Sequence, residues 1–231
     1  MIKTQQKGAF ITFEGGEGAG KSSLIKEIQN QLTSLYKLST HVTREPGGSQ
    51  GAETIRELLV QGDKEKWDRL TEVFLLSAAR RDHLAKCIWP KLNQGTWVLC
   101  DRFFDSTCVY QGYAPEEDDK VSLSTIHNIG NMIFGNFKPN LTFILDVDPE
   151  IGLMRSQKKL STQKQGQKED RFETMPLHYH QKVRAAFLDI AHKEPERCRV
   201  IDASQAPEEI FIETMQHITN FFSLSAKQNM S

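Results

Sequence analysis

A glycine-rich loop that contains a lysine and two serines has the residue types and the spacing for phosphate chemistry. The stretch GGEGAGKS, from Gly15 to Ser22, matches the pattern G-x-x-x-x-G-K-[ST], whose backbone N–H groups surround phosphates. In this pattern the lysine reaches the β- and γ-phosphates, and the next hydroxyl binds Mg²⁺. We therefore predict that a nucleoside triphosphate binds the loop residues Gly15, Gly16, Glu17, Gly18, Ala19, Gly20, Lys21, Ser22 and Ser23.

Two further segments carry arginines that could bind a second anion near this loop. The segments TREPGG (Thr43–Gly48) and DRFFDSTCVYQG (Asp101–Gly112) each end or follow a short apolar run that predicts a strand. Ligands of open α/β sheets bind at the carboxyl ends of the strands, so Arg44 and Arg102 are expected to face the same crevice as Lys21. The motif alone leaves water, a protein or a small molecule as the phosphoryl acceptor, and a second anionic site is typical of a small-molecule kinase.

A GTPase switch is the competing class of phosphate-loop protein. The sequence contains no N-K-x-D guanine-binding motif, and no predicted strand is followed by D-x-x-G. Asp101 ends a predicted strand, as the acid that holds Mg²⁺ does in many phosphate-loop enzymes, although a turn-capping role is the alternative. We therefore favour the kinase and predict Ser22 and Asp101 as the metal ligands.

The elements that must position these residues alternate along the chain. Five short apolar runs, AFITF, LSTHVT, TWVLCD, LTFILDV and CRVIDAS, are separated by longer segments with helical patterns. After the first run, Leu24, Ile28 and Leu32 recur at helical spacing. Short, continuous apolar runs predict a buried parallel sheet with helices on both faces. Because no repeat or linker interrupts this pattern, we expect a single domain over residues 1–231.

The composition argues against two kinds of partner. The formal net charge is −1, so no overall field favours nucleic acid or an anionic membrane. No apolar run approaches the roughly 20 residues of a membrane helix. The cysteines Cys87, Cys100, Cys108 and Cys198 form no C-x-x-C pair, which favours reduced thiols. We therefore expect a cytoplasmic protein with no nucleic-acid or membrane partner.

Several motifs together resemble one enzyme family. The segments EGGEGAGKS, TREPGG, SAARRDHL, DRF..S..YQG and DRFE occur in the order and spacing of bacterial thymidylate kinases. The similarity covers residues 8 to 222, nearly the whole chain. The phosphate loop is shared with many families, whereas TREPGG combined with DR…YQG is much more specific.

The resemblance implies both a fold and an activity. The fold is α/β, like that of P-loop nucleoside monophosphate kinases, with a five-stranded parallel sheet, helices on both faces and a mobile lid. The activity is transfer of the γ-phosphoryl group of ATP to dTMP, which gives dTDP, with Mg²⁺ bound together with ATP. The family also implies a homodimer in the cytoplasm.

The resemblance further assigns residues to the dTMP site. It places Glu17 toward the sugar and its 3′-hydroxyl, Arg80 toward thymine O4, and Tyr110 against the deoxyribose. It also implies a cis peptide bond between Glu45 and Pro46, which would aim Arg44 into the pocket. The complete set implied for dTMP is Glu17, Arg44, Glu45, Pro46, Arg56, Leu76, Arg80, Arg102, Ser106, Thr107, Tyr110 and Gln111.

The predicted lid is the basic segment RSQKKLSTQKQGQKEDR, at about residues 155–171. Because the phosphate loop contains no arginine, the lid is expected to supply the extra positive charge, as in the bacterial form of the family. The predicted catalytic residues are Lys21, Asp101, Arg102, Arg155, Lys158 and Lys159. Many relatives have arginines at positions 158 and 159 and a shorter lid. The lid cation that contacts the transferring phosphoryl group therefore stays open.

A second departure from the family lies four residues before Arg80. Relatives have a phenylalanine there that stacks on thymine, and this chain has Leu76. Residues at i and i+4 share a helix face, so we expect Leu76 to lie under the base. Phe74 is two residues away on the helix, and we expect it to face the core.

Two alternative functions remain open from the sequence. One is a kinase for another nucleotide or nucleoside. The other is a nucleotide-binding regulatory module without turnover, which would retain the loop but would need neither Arg102 nor a basic lid. The choice of acceptor in an assay with ATP separates these alternatives.

Overall fold

The sheet is described from a computed structural model that covers residues 8–60, 66–161 and 174–225. Its five strands are all parallel and lie in the order β2-β3-β1-β4-β5. Their bounds are β1 Phe10–Glu14, β2 Thr40–Arg44, β3 Trp97–Asp101, β4 Leu141–Asp146 and β5 Cys198–Asp202. The prediction of a five-stranded parallel sheet is confirmed, and each strand coincides with one of the apolar runs.

Helices connect the strands and cover both faces of the sheet. Their bounds are α1 Lys21–Ser34, α2 Gln50–Val60, α3 Arg69–His83, α4 Trp89–Asn93, α5 Phe104–Thr107, α6 Leu123–Phe134, α7 Pro149–Ser161, α8 Leu177–Lys193 and α9 Pro207–Phe221. A π-helical turn, Leu84–Ile88, joins α3 to α4, and another, Cys108–Tyr113, continues α5. Pro90 lies at the start of α4, where its missing N–H is tolerated. The helical run from Phe104 to Tyr113 was not predicted.

The central strand β1 has core on both sides because its side chains alternate between the two faces. Ile11 and Phe13 belong to a buried cluster that includes residues of α1 and α9. Phe10 belongs to a second cluster with Leu84 and Ile88, which follow α3. Burial on both faces explains why the run AFITF is apolar apart from Thr12 instead of alternating.

Parallel pairing brings the carboxyl ends of all five strands to one edge of the sheet. Asp101 at the end of β3 is in register with Arg44 of β2 on one side and with Phe13 of β1 on the other. The chain leaves β1 for β2 and β3 on one side and later adds β4 and β5 on the other. Such a switch point opens a crevice at this edge, and ligands of open α/β sheets bind there.

The expectation that Phe74 faces the core is wrong. Its side chain is 54% exposed, because α3 buries a different face, which carries Val73, Ser77 and Arg80. These three residues follow the i, i+4, i+7 spacing of one helix face, and Phe74 lies about 100° away from Val73. An exposed phenylalanine on a helix points instead to a surface contact.

None of the helices within the described ranges has the length and apolar character needed to cross a membrane.

Candidate active site

The phosphate loop joins β1 to α1 at the switch point of the sheet. Its backbone takes positive φ angles at three glycines, +132° at Gly15, +66° at Gly18 and +89° at Gly20. A Cβ at Gly18 would lie 1.9 Å from the carbonyl oxygen of Gly152, in the first turn of α7. Residues with side chains rarely adopt such angles, and this contact leaves no room for one. The loop is therefore seated directly against α7, the helix that leads into the predicted lid.

Lys21 is the first residue of α1, and its side chain contacts the loop. Its ammonium group donates hydrogen bonds to the carbonyl oxygens of Gly15, at 3.0 Å, and Gly16, at 2.9 Å. Burial and the neighbouring guanidinium of Arg102 lower the pKa of Lys21 to about 8. The positive charge of a buried ammonium beside another cation is only partly compensated. Binding of an anion to the loop would therefore be strongly favoured.

The two predicted metal ligands, Ser22 and Asp101, are in contact. The Ser22 hydroxyl donates to Asp101 Oδ2 at 2.8 Å, although the two residues are far apart along the chain. A hydroxyl and a carboxylate oxygen are ligands that suit Mg²⁺, which also keeps waters and substrate phosphate oxygens. The described residues contain no group of three or more His, Cys, Asp or Glu that could hold a metal alone. This pair therefore fits a metal ion that arrives with the nucleotide.

Arg102 bridges the phosphate loop and the neighbouring cavity. Its guanidinium donates to both carboxylate oxygens of Glu17, at 3.0 and 3.1 Å, and to the carbonyl oxygen of Gly15. The Tyr110 hydroxyl donates to Glu17 at 2.7 Å. Burial opposes ionisation of Glu17, but the charges of Arg102 and Lys21 outweigh it and lower its pKa. The Glu17 carboxylate, which would otherwise repel phosphates in the loop, is thus neutralised locally and faces the cavity.

Glu14 was missed by sequence reasoning although it organises this segment. It ends β1, is fully buried, and accepts hydrogen bonds from the Phe103 N–H at 2.7 Å and the Ser106 hydroxyl at 2.6 Å. Burial and the nearby carboxyl of Asp105 raise the pKa of Glu14 to about 7. Its two bonds fix the turn that carries Arg102, whose φ is +67°. The sequence feature that could have identified Glu14 is its position as a carboxylate at the end of an apolar strand.

A cavity lies next to the phosphate loop, between the ends of β2 and β3 and the helix α3. It contains every residue predicted for the second site except Arg44 and Arg56, and one that was not predicted, Phe103. The lining residues are Glu17, Glu45, Pro46, Leu76, Arg80, Arg102, Phe103, Ser106, Thr107, Tyr110 and Gln111. The predicted residues of four separate motifs thus converge on one cavity.

Arg80 is the buried cation of this cavity. It donates to Glu45 at 2.7 Å, to Thr107 Oγ1 at 3.0 Å and to the Phe103 carbonyl oxygen at 3.1 Å. The peptide bond between Glu45 and Pro46 is cis, as predicted. His83 contacts the other oxygen of Glu45 at 3.1 Å. Although burial opposes a charge on His83, hydrogen bonds to Cys87 and Glu45 raise its pKa to about 9.

Arg44 and Arg56 do not line the cavity. Arg44 was expected to share the crevice with Lys21, but its side chain is 53% exposed and pairs with Glu53 of α2 at 3.0 Å. The carboxylate of Glu53 therefore draws it away from the cavity. Arg56 donates to the Pro46 carbonyl oxygen at 2.6 Å, directly behind the cavity wall. Any role of the two guanidiniums in anion binding stays a prediction.

The predicted lid lies only partly within the described residues. Arg155, on α7, donates to the Ala203 carbonyl oxygen at 2.9 Å, which ties the helix to the loop after β5. Lys158 is exposed on the same helix. The side chain of Lys159 and the residues 162–173 lie outside the described part of the chain. The predicted mobility of the lid and the choice of lid cation therefore stay predictions.

Comparisons with known proteins agree on one family. A family model described as thymidylate kinase matches residues 13–213. Proteins named thymidylate kinase are 45% identical in Rhodopseudomonas palustris strain TIE-1, covering 90% of this chain and 87% of that protein, and 42% identical in Magnetococcus marinus, covering 95% and 99%. The crystal structure of thymidylate kinase from Ehrlichia chaffeensis is similar with a TM-score of 0.72 and 30% identity, covering 92% of this chain and 99% of that chain.

Proposed function

The chain belongs to the thymidylate kinase family, and we propose that it transfers the γ-phosphoryl group of ATP to dTMP, which yields dTDP. One observation carries the proposal: a phosphate loop and a cavity built around a buried arginine open side by side at the same edge of the sheet. Two nucleotides bound there would bring the γ-phosphoryl group of one close to the α-phosphate of the other.

The residues of the site would act by positioning and by neutralising charge. The acceptor is already a phosphate, so the reaction needs no strong base, and two polyanions must be held in line. Lys21 would hold the β- and γ-phosphates of ATP. Arg102, which touches both the loop and the cavity, would lie between donor and acceptor. The basic residues of the lid, from Arg155 onward, would close over the phosphates and exclude water, which otherwise competes as acceptor.

Mg²⁺ would bind with ATP at the hydroxyl of Ser22 and the carboxylate of Asp101. These two side chains already touch, and their oxygen atoms suit the ion. When bound, Mg²⁺ supplies positive charge to the phosphate oxygens. The contribution of the chain is to fix this pair at the end of β3, beside Lys21.

The dTMP nucleoside would fill the cavity with its base toward Arg80. A guanidinium only donates hydrogen bonds, so it suits the O4 carbonyl of thymine. Arg80 is held by Glu45 on one side and donates a hydrogen bond to Thr107 on the other. Glu17 and Tyr110, which are hydrogen-bonded to each other, would face the sugar. Arg44 and Arg56 would approach the acceptor phosphate by rearranging when it binds.

A panel of acceptors tests the proposed function. We would measure ADP formation from ATP in a coupled assay with dTMP, dUMP, CMP, AMP or thymidine as the acceptor. The proposal predicts that dTMP gives the highest kcat/KM. Preference for another acceptor would favour a different nucleotide kinase, and ATP binding without turnover on any acceptor would favour a regulatory module.

Replacement of Leu76 by phenylalanine is expected to increase the affinity for dTMP. Leu76 lines the cavity one helical turn before Arg80, where the base would lie. Leucine covers a base with apolar surface but cannot stack as a ring does, a difference of roughly 0.5–1.5 kcal/mol. We expect Leu76→Phe to lower the KM for dTMP by about 2- to 13-fold and to leave the KM for ATP unchanged. An unchanged or higher KM for dTMP in a folded variant would show that Leu76 does not contact the base.

We further propose that residues 1–231 form a single domain that assembles as a homodimer in the cytoplasm. Support for the dimer comes from exposed apolar side chains on neighbouring helices. Leu58 lies on α2, Leu70 and Phe74 on α3, and Met132 on α6, and α3 packs against both α2 and α6. Large exposed apolar residues on helices that pack together are typical of an interaction surface.

Phe74→Glu is expected to disrupt this dimer. A charge at the centre of an apolar interface is costly to bury, so the variant should elute as a monomer in size-exclusion chromatography with light scattering. The matched control is Phe221→Glu, because Phe221 is also an exposed phenylalanine but lies at the end of α9. A Phe74→Glu variant that remains dimeric would place the interface elsewhere.

A further inference from the structure

A buried carboxylate that has no role in the proposed function lies directly behind the cavity. Glu72 is in the first turn of α3, and its side chain is 1% exposed. It accepts a hydrogen bond from Gln111 Nε2 at 3.0 Å. The guanidinium of Arg69 approaches the same carboxylate at 3.3 and 3.4 Å, and Arg69 also pairs with Asp119. Glu72 is therefore held in place from one side and holds Gln111 on the other.

This contact determines which way the Gln111 side chain is oriented. A side-chain amide has one donor end and one acceptor end, and rotation by 180° exchanges them. A carboxylate only accepts hydrogen bonds, so Glu72 fixes the NH₂ end of Gln111 against itself. Gln111 lines the cavity, and no group within the described ranges donates a hydrogen bond to its Oε1 atom. The carbonyl oxygen is the end left to meet a ligand.

We propose that Glu72 is a positioning residue that selects thymine over cytosine by fixing the acceptor end of Gln111 toward the base. The inference rests on the proposed function. Thymine carries an N3–H donor next to an O4 acceptor, whereas cytosine carries an N3 acceptor next to an N4 amino donor. Gln111 Oε1 accepts from N3–H, and Arg80 donates to O4. Cytosine places an acceptor against the Gln111 carbonyl and a donor against the Arg80 guanidinium.

Arg69 makes Glu72→Gln a sharp test of this idea. The variant has the same shape, but its new amide oxygen is drawn to the Arg69 guanidinium, so its NH₂ group turns toward Gln111. A donor at that position favours the opposite orientation of Gln111, with its own NH₂ group facing the base. In that orientation the NH₂ donor of Gln111 faces the N3–H donor of thymine, which is a mismatch. The same NH₂ group can donate a hydrogen bond to the N3 acceptor of cytosine.

The measurement is the ratio of kcat/KM for dTMP to that for dCMP. We expect Glu72→Gln to lower this ratio at least about tenfold, because one hydrogen bond to the base is exchanged for a mismatch. The KM for ATP should not change. The control is Asp119→Asn, which removes the other partner of Arg69 but leaves Glu72 and Gln111 in contact, and which should keep the ratio of the wild type.

A double-mutant cycle separates positioning from general disruption. Gln111→Met should lower the ratio by itself, and adding Glu72→Gln to it should change the ratio no further, because Glu72 acts through Gln111. If Glu72→Gln does not fold, the double variant Arg69→Met/Glu72→Gln is used instead. Without Arg69 the amide at position 72 can take either orientation and no longer fixes Gln111, so the ratio should still fall, although by less. An unchanged ratio in a folded Glu72 variant, or an additive loss in the cycle, would overturn the proposal.

The test also distinguishes this inference from the proposed function. A wild-type protein that binds dTMP without phosphorylating it would contradict the proposed function. The ratio of dissociation constants for dTMP and dCMP, measured by calorimetry, would still report on Glu72 in that case. A wild-type protein that phosphorylates dTMP but whose ratio is insensitive to Glu72→Gln would contradict the inference alone.

Discussion

Lys21→Met is expected to lower kcat for dTMP phosphorylation by at least about 10²–10³-fold, the usual effect of removing one preorganised group that stabilises transition-state charge. Lys21 bonds the loop carbonyls of Gly15 and Gly16, so its ammonium already lies where β- and γ-phosphate oxygens would bind. Methionine has a similar length but no charge. The loss should therefore appear mainly in turnover and not in folding.

Thermal unfolding provides the check on stability for this variant. Because burial lowers the pKa of Lys21, its charge costs stability in the free protein, and the midpoint of unfolding should be unchanged or higher. Lys26→Met is the matched control, since Lys26 is exposed on the same helix, and it should retain activity. Near-normal turnover of Lys21→Met would remove the basis for assigning the loop to ATP.

Arg80→Met is expected to affect both stability and recognition of dTMP. Arg80 and Glu45 form an ion pair with both side chains almost fully buried. Removing one partner of a buried pair costs about 3–5 kcal/mol, and the remaining contact of Glu45 with His83 should hold the loss near the lower value. Loss of a hydrogen bond from a charged donor to the base should also reduce kcat/KM for dTMP by roughly 10- to 100-fold.

The two effects separate in a second variant. Arg80→Met/Glu45→Gln also removes the carboxylate that has lost its buried guanidinium partner, so chemical denaturation should show partial recovery of the free energy of unfolding. The kcat/KM for dTMP should stay low, because the donor to the base is still missing. Arg81→Met is the control, since Arg81 is the exposed neighbour of Arg80, and it should change neither quantity greatly. Recovery of kcat/KM in the double variant would exclude Arg80 from base recognition.

Much of the site was predictable because its motifs are local. The phosphate loop occupies consecutive residues, and its glycines adopt the backbone angles that their spacing suggested. Each apolar run was short and bounded, so the five strands followed directly. The convergence of Arg80, Thr107 and Gln111 on one cavity was available only through the family resemblance, because they come from different elements of the chain.

Other parts of the site depend on long-range contacts that no local pattern encodes. Glu14 contacts Phe103, 89 residues later, and Glu72 contacts Gln111, 39 residues later. Glu72 does not stand out in the sequence, since an acidic residue on a helix is usually exposed, and the position of Glu14 at a strand end does not identify its partners. Arg44 was predicted to face the crevice because it lies at a strand end. Its ion pair with Glu53 of α2 could not be predicted from the sequence.

The expectation for Phe74 failed for a related physical reason. A phenylalanine within the amphipathic pattern of α3 is usually buried, but the buried face of α3 also carries Glu72, Arg80 and His83. These polar residues serve the cavity, so the apolar pattern no longer identifies the inward face. Local periodicity predicts a helix well but gives its rotation poorly when a functional site lies beneath it.

The fate of the γ-phosphoryl group tests the central claim most directly. The protein is incubated with ATP labelled with ³²P in the γ-position, Mg²⁺ and dTMP, and the products are separated. Transfer to dTMP predicts that the label appears in the β-phosphate of dTDP, in amounts that match the ADP formed. Label found in inorganic phosphate or on the protein instead would contradict the account, because the acceptor would then be water or a side chain.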